Sequence, residues 1–189
     1  MNIILIGFRC AGKTTVGQRL AEQIKAEFVD CDEYIEKKTH LTIREIFDLC
    51  GESYFRMLEG DAIKEVCRAD GRVIATGGGA ALRYKNIHNL KNNGLVFFLD
   101  VGPEEAAKRI TADPKSLSRR PPLTTKDLRS EVREQVGLRR DYYLKAADFT
   151  VRTDQRSAEE VVIEIVARLK TKGITEEGGP PDDRDASLA

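Results

Sequence analysis

Five short apolar runs recur along the chain, and between them apolar residues return every three or four positions. The first run, Asn2–Ile6, is unbroken and rich in β-branched side chains, the pattern of a strand buried on both faces. Val16, Leu20, Ala21 and Ile24 follow at helical spacing. "EFVDCD" at 27–32 reads as a second strand ending in acids. From Glu33 to Ala69 the period is helical. It restarts at Thr42, where Thr42 and Glu45 form a capping-box pattern. Gly51 punctuates it, and Tyr54, Leu58, Ala62, Ile63 and Val66 carry the next stripe. "RVIAT" predicts a third strand, ended by Gly77–Gly79, and "LVFFLD" at 95–100 a fourth. Pro103 opens a helix to about Ile110, as proline does in a first turn. Residues 111–126 are polar and proline-broken and predict a surface loop. A charged amphipathic helix follows over 127–147, then a fifth strand, "DFTVRT". The last helix starts at a second capping box, Ser157 with Glu160, and runs to Lys170.

Strands alternating with helices predict an α/β fold on a parallel sheet. Residues 1–170 are expected to form a single domain. The segment 171–189 has no apolar period and much Gly, Pro and Asp, so a disordered tail is expected there. In such folds ligands sit beyond the carboxyl ends of the strands. Three of the loops at that edge stand out: Gly7–Thr14, Asp30–Asp32 and Gly77–Gly79.

Charge adds an exclusion. The 31 Lys and Arg balance 31 Asp and Glu, so no overall field recruits nucleic acid or an anionic membrane. Anion binding must come from local placement. Cys10, Cys31, Cys50 and Cys67 form no close pair and no metal-ligand spacing, which predicts free thiols in a reducing compartment. The opening apolar run is too short for a signal peptide or a membrane span. A cytoplasmic protein is expected.

"GFRCAGKT" at 7–14 fits the phosphate-loop pattern G-x-x-x-x-G-K-[ST] at every specified position, between a strand and a helix. Gly7 and Gly12 permit backbone conformations closed to other residues, so successive N–H groups can turn inward as an anion nest. The helix beginning at Lys13 adds its positive end. Lys13 can reach β- and γ-phosphates, and the Thr14 hydroxyl can ligate Mg²⁺. Asp30 and Asp32 lie two apart and, on an extended segment, point to one side. One suits Mg²⁺ through water and the other an acceptor hydroxyl; helix N-capping by Asp32 is the bland alternative. Three successive glycines, Gly77, Gly78 and Gly79, suit backbone approach to a ligand or a tight turn. Arg56, Arg139 and Arg140 are anion ligands or merely solvated helix faces. Arg119 and Arg120, before Pro121 and Pro122, place cations on a loop able to close over a phosphoryl group.

Taken in order, "GFRCAGKTTVG", "FVDCDEYIE", "FRMLE", "ATGGGA", "RRPPLT" and "RRDYY…ADFTVRT" resemble shikimate kinase, up to about residue 170. The resemblance implies phosphorylation of the 3-hydroxyl of shikimate by ATP with Mg²⁺, on the route to aromatic amino acids. It implies the nucleoside-monophosphate-kinase type of P-loop NTPase fold, three layers around a five-stranded parallel sheet of order 2-3-1-4-5. ATP would lie on Gly7, Cys10, Ala11, Gly12, Lys13, Thr14 and Thr15, with Arg109 and Arg156 near adenine and Arg120 reaching in from a lid at about 111–126. Thr14 and Asp30 would support Mg²⁺. A shikimate-binding region over about 32–62 would supply Asp32, as hydroxyl ligand and base, and Arg56. Arg139, preferred to Arg140 by its spacing to Tyr143, would share the carboxylate with Arg56, and the backbone of Gly77–Gly79 would touch the substrate. Lys13, Asp32 and Arg120 would carry the transfer, in a monomer. One departure is Cys10, where the family usually has glycine.

Two rivals compete with this reading. One is a gluconate- or nucleotide-type kinase of the same fold; the paired acids, the glycines and two carboxylate-binding arginines favour a small hydroxy acid. The other is a phosphate-loop binding module without turnover, which Lys13, Thr14, Asp32 and Arg120 argue against.

Overall fold

The first strand, β1 (Asn2–Ile6), is buried along its whole length. It takes the middle of a five-stranded sheet, as its unbroken apolar run requires. In the computed structural model, which describes residues 1–113 and 127–173, the order is β2-β3-β1-β4-β5 and every pairing is parallel. The other strands are β2 (Glu27–Asp30), β3 (Arg72–Ala75), β4 (Gly94–Asp100) and β5 (Phe149–Arg152). The expected lid arginines, Arg119 and Arg120, and the tail beyond Gly173 lie outside the described residues.

Register sets where the site falls. Leu5 stands opposite Ala75, Ala75 opposite Asp30, and Ile6 opposite Phe98. The loops leaving β1, β2 and β3 therefore emerge side by side. The connection from β1 runs to β2 on one side of it and the connection from β3 crosses to β4 on the other, the switch point at which open parallel sheets bind ligands.

Helices cover both faces. α1 (Lys13–Ile24) packs against β3 and against the last helix, α7 (Ala158–Thr171). α2 (Cys31–Thr39) packs on α3 (Ile43–Val66), and Ile35, Ile43, Ile46, Phe55 and Ala62 form a second small core beneath them. α4 (Tyr84–Asn93) and α6 (Leu128–Ala146) lie against β4, and α5 (Pro103–Ala112) against α6. Both expected capping boxes are formed, at Thr42–Glu45 and Ser157–Glu160. Gly51, with φ 78° and ψ 171°, kinks α3 where the sequence punctuates it.

Two expectations change. The hydropathy pattern assigns no element between Gly79 and Leu95, yet a 3₁₀ turn (Ala80–Leu82) and α4 form there. α4 lacks a side-chain cap and carries few apolar residues, so only packing reveals it. The second strand also ends at Asp30 rather than Asp32, because the Asp30 carboxylate caps α2 by accepting from the amides of Asp32 and Glu33. Asp32 therefore lies in the first turn of a helix. The alternation that would put both acids on one side of a strand does not apply, and the capping residue is Asp30, not Asp32.

Gly94 begins β4 beside Asn2. A Cβ there would overlap the Asn2 carbonyl, lying 2.9 Å from its carbon, in the backbone of the central strand. Gly94→Ala is expected to cost about 1–3 kcal/mol by forcing β1 and β4 apart. A thermal melt unchanged from the parent would show that this edge of the sheet yields freely.

Candidate active site

The loop between β1 and α1 wraps back on itself through three residues with positive φ: Gly7 at 146°, Cys10 at 60° and Gly12 at 95°. A Cβ on Gly7 would lie 2.6 Å from the Leu99 carbonyl oxygen, so glycine is required there for space as well as for angle. Gly12 is the N-cap of α1 and uses no side chain, so the helix opens with its N–H groups toward the loop. Lys13 is buried and donates from Nζ to the carbonyls of Gly7 and Phe8, 2.9 Å each. Cys10 occupies the left-handed region directly. A departure from glycine at that place is thus met by backbone strain in a half-buried residue, and the loop still closes.

The Thr14 hydroxyl donates to Asp30 Oδ2 at 2.8 Å. This pair of hard oxygen ligands beside the phosphate loop fits Mg²⁺, which takes few protein ligands and keeps water and phosphate oxygens for the rest. On the other side of the loop a cleft of about 440 Å³ is lined by Cys10, Ala11, Gly12, Thr15, Arg109 and Arg156, six of the residues expected at the nucleotide. Arg109 donates from Nη2 to the Thr153 carbonyl at 2.6 Å and from Nε to Glu105. Arg156 donates to Glu164 and to the Glu160 carbonyl. Both guanidiniums are thereby fixed as walls.

The glycine turn joins this half to the other. A Cβ on Gly78 would lie 3.3 Å from the Arg9 amide nitrogen and 3.6 Å from the Gly7 carbonyl oxygen. A Cβ on Gly79 would lie 2.7 Å from Arg56 Cζ, so Gly79 makes the space that the guanidinium fills. Arg56 donates to Glu52 from Nε and Nη2 and to Glu59 from Nη1 at 3.0 Å. Burial opposes its charge, but Glu59 and Glu52 outweigh burial and raise its pKa above the usual arginine value. Glu59 is 1% exposed, and sequence reasoning missed it, although an acid three residues on in "FRMLE" is a visible helical partner.

Arg139 and Arg140 part company. The Arg140 guanidinium pairs with Asp100 at 2.9 Å. Arg139 lies over the Phe8 ring, 5.6 Å from its centroid, and donates from Nε to the side-chain oxygen of Gln135 at 3.2 Å. One turn on, Tyr143 is buried and donates its hydroxyl to the Gly78 carbonyl. Phe8, also missed, and Tyr143, used in the sequence only as a spacing mark, thus tie α6 to both glycine-bearing loops. Asp30, Gly78 and Arg139 meet Thr14, Arg9 and Phe8 of the phosphate loop and its helix, Arg56 meets Gly79 of the glycine turn, and Asp32 follows Asp30 in the first turn of α2.

A phosphate loop, an oxygen pair for a cation and a five-stranded parallel sheet of order 2-3-1-4-5 define a P-loop kinase of the nucleoside-monophosphate-kinase type. The family match narrows this. Residues 9–170 match the family described as shikimate kinase, and the chain belongs to it. The shikimate kinase of Symbiobacterium thermophilum is 40% identical over 173 residues, 92% of this chain and 98% of that one. The structure of shikimate kinase from Acinetobacter baumannii in complex with shikimate superposes with a TM-score of 0.85 at 34% identity, over 92% of this chain and 95% of that one. A gluconokinase from Sinorhizobium meliloti, at a TM-score of 0.55 and 18% identity over 90% and 92%, shares the fold alone. The chain is an enzyme, and its reaction is the ATP-dependent phosphorylation of shikimate in the route to aromatic amino acids.

Cys10→Gly relieves the left-handed strain but frees the unfolded chain, and these effects nearly cancel at about 1 kcal/mol each. The melting temperature should move by only a few degrees and the KM for ATP by less than about threefold, since the loop presents backbone amides rather than the thiol. A tenfold change in KM, read from initial rates, would show that the thiol itself meets the nucleotide.

Proposed function

We propose that shikimate lies between the glycine turn and α3, with its 3-hydroxyl toward the phosphate loop. The packing of Arg56 into the space left by Gly79 carries this reading. A guanidinium held by Glu52 and Glu59, facing a turn without side chains, is pre-oriented for a carboxylate in bidentate geometry. Arg139 is the second carboxylate ligand. Its support is the Phe8 platform and the contrast with Arg140, whose charge Asp100 already meets. The family's solved complex with shikimate supports the substrate.

Asp32 accepts a hydrogen bond from the 3-hydroxyl and takes its proton as the oxygen attacks the γ-phosphorus; ADP then leaves. Gly7, Cys10, Ala11, Gly12 and Thr15 hold the ATP phosphates with main-chain N–H groups, and Arg109 and Arg156 flank adenine across the cleft they line. Lys13 turns from the Gly7 and Phe8 carbonyls to the β- and γ-phosphates. Thr14 and Asp30 would hold Mg²⁺, which when bound neutralises charge on the transferring group. Arg120 is proposed as the lid cation, from sequence alone. Gly77 and Gly78 lend backbone to the substrate.

A monomer is proposed, as the resemblance implies. The buried thiols of Cys31 and Cys67, the latter pushed up to about 11 by burial, suit a reducing cytoplasm. No described helix is long and apolar enough to cross a membrane.

Initial rates with ATP and a panel of shikimate, gluconate and nucleoside monophosphates test the reading; turnover is expected with shikimate. Arg56→Lys keeps charge but loses the fork, and should raise the shikimate KM by roughly 10- to 100-fold, from about 1–3 kcal/mol for a charged hydrogen bond. The ATP affinity without shikimate should hold. A variant that loses ATP binding and keeps its shikimate KM would place Arg56 elsewhere.

A further inference from the structure

Arg9 fills a place in the phosphate loop for which the G-x-x-x-x-G-K-T pattern demands nothing. Such an arginine would ordinarily extend into water. Here its side chain is only 12% exposed, and Nη2 lies 2.9 Å from Oε1 of Glu131, which is 2% exposed in the first turn of α6. The two residues are 122 apart in sequence. We propose that this ion pair is a clasp that positions the phosphate loop against α6, and so sets the separation between the ATP phosphates and the acceptor hydroxyl.

Two physical arguments support the clasp. First, a buried ion pair is a poor stability device, because desolvating two charges cancels most of their attraction and an apolar pair of like volume serves as well. What it supplies beyond apolar contact is direction. Second, the loop has no ladder of its own to fix it: its backbone turns through three positive-φ residues and is irregular from Gly7 to Gly12. Its place depends on side chains, and α6 provides them along one helix. Glu131 takes Arg9, Arg139 covers Phe8 two turns on, and Tyr143 holds the Gly78 carbonyl, with Gly78 itself against the Arg9 amide. A single stiff rod thus spans the nucleotide loop, the glycine turn and the proposed carboxylate ligand. Without the charged contact the loop keeps its apolar footing but can slide along that rod. A displacement on the order of 1 Å costs up to about 100-fold in transfer while barely altering binding.

The inference rests on the reaction proposed above and makes Arg9 and Glu131 positioning residues, not groups that touch substrate. Three variants test it: Arg9→Met, Glu131→Met and the double variant. Each single variant leaves one buried charge without its partner and should melt lower than the parent. The double variant removes both charges at similar volume and should melt near the parent. Its kcat should nonetheless stay lower by on the order of 10- to 100-fold, with both KM values within about threefold. Amides of residues 8–12 should exchange hydrogen faster than in the parent. A double variant that recovers both melting temperature and kcat would overturn the clasp and leave a merely structural pair. Should the double variant fold poorly, Glu131→Asp serves instead. It keeps the charge but shortens the reach by one methylene, so kcat should fall about tenfold at a similar melting temperature, and an unchanged kcat overturns the proposal. If the parent itself turned over no shikimate, the substrate reading would fail. The exchange of the loop amides still decides the clasp, and unchanged protection in either charge-neutral or shortened variant overturns it.

Discussion

The register of β1 between β3 and β4 is the constraint on which the site depends. A strand buried on both faces cannot slip by one residue without turning every side chain to the wrong layer. Asn2 adds a lock at the start, donating to the Ala69 carbonyl and accepting from the Arg72 amide, each at 2.9 Å. At the far end the Thr76 amide and hydroxyl both donate to the Leu5 carbonyl. The points at which the phosphate loop and the glycine turn leave the sheet are thereby fixed side by side, while the course of the loop beyond them depends on side chains. The loop can then use strained backbone at Cys10, because its two ends are held by the sheet and by α1.

Guanidiniums dominate the rest of the site, and each is held differently. Arg56 has a buried counter-charge in Glu59 and an exposed one in Glu52. Arg109 and Arg156 lean on main-chain carbonyls as well as acids. Arg9 has Glu131, and Arg139 has an aromatic face. Arginine suits all four settings because its planar fork pairs, stacks and stays charged when partly buried. The chain carries no net charge, so the anion-binding character comes wholly from this local arrangement.

Much of this was legible in advance. Strand periods, two capping boxes and the loop pattern located every strand and most helices, because those signals are local: they reflect backbone angles and which face meets the core. The same local signals misled at Asp32. A strand pattern and a helix start overlap at "DCD", and the winner was decided by the Asp30 carboxylate capping α2. α4 went unseen because Ile87 and Leu90 alone make no stripe, and its helicity comes from packing on α3 and β4.

By itself the sequence determined the α/β alternation, the phosphate loop with Lys13 and Thr14, and, through its resemblance, the family. Tertiary structure alone decided which long side chains meet. Adjacent residues on a helix point about 100° apart, so spacing to Tyr143 can prefer Arg139 to Arg140, but what each guanidinium meets is settled only when Phe8 and Asp100 approach α6. Glu131 and Arg9 likewise mean nothing to each other until the sheet brings residues 122 apart into contact. Local periodicity encodes backbone and burial, whereas the partner of a charged side chain is set by elements that only the folded sheet makes neighbours.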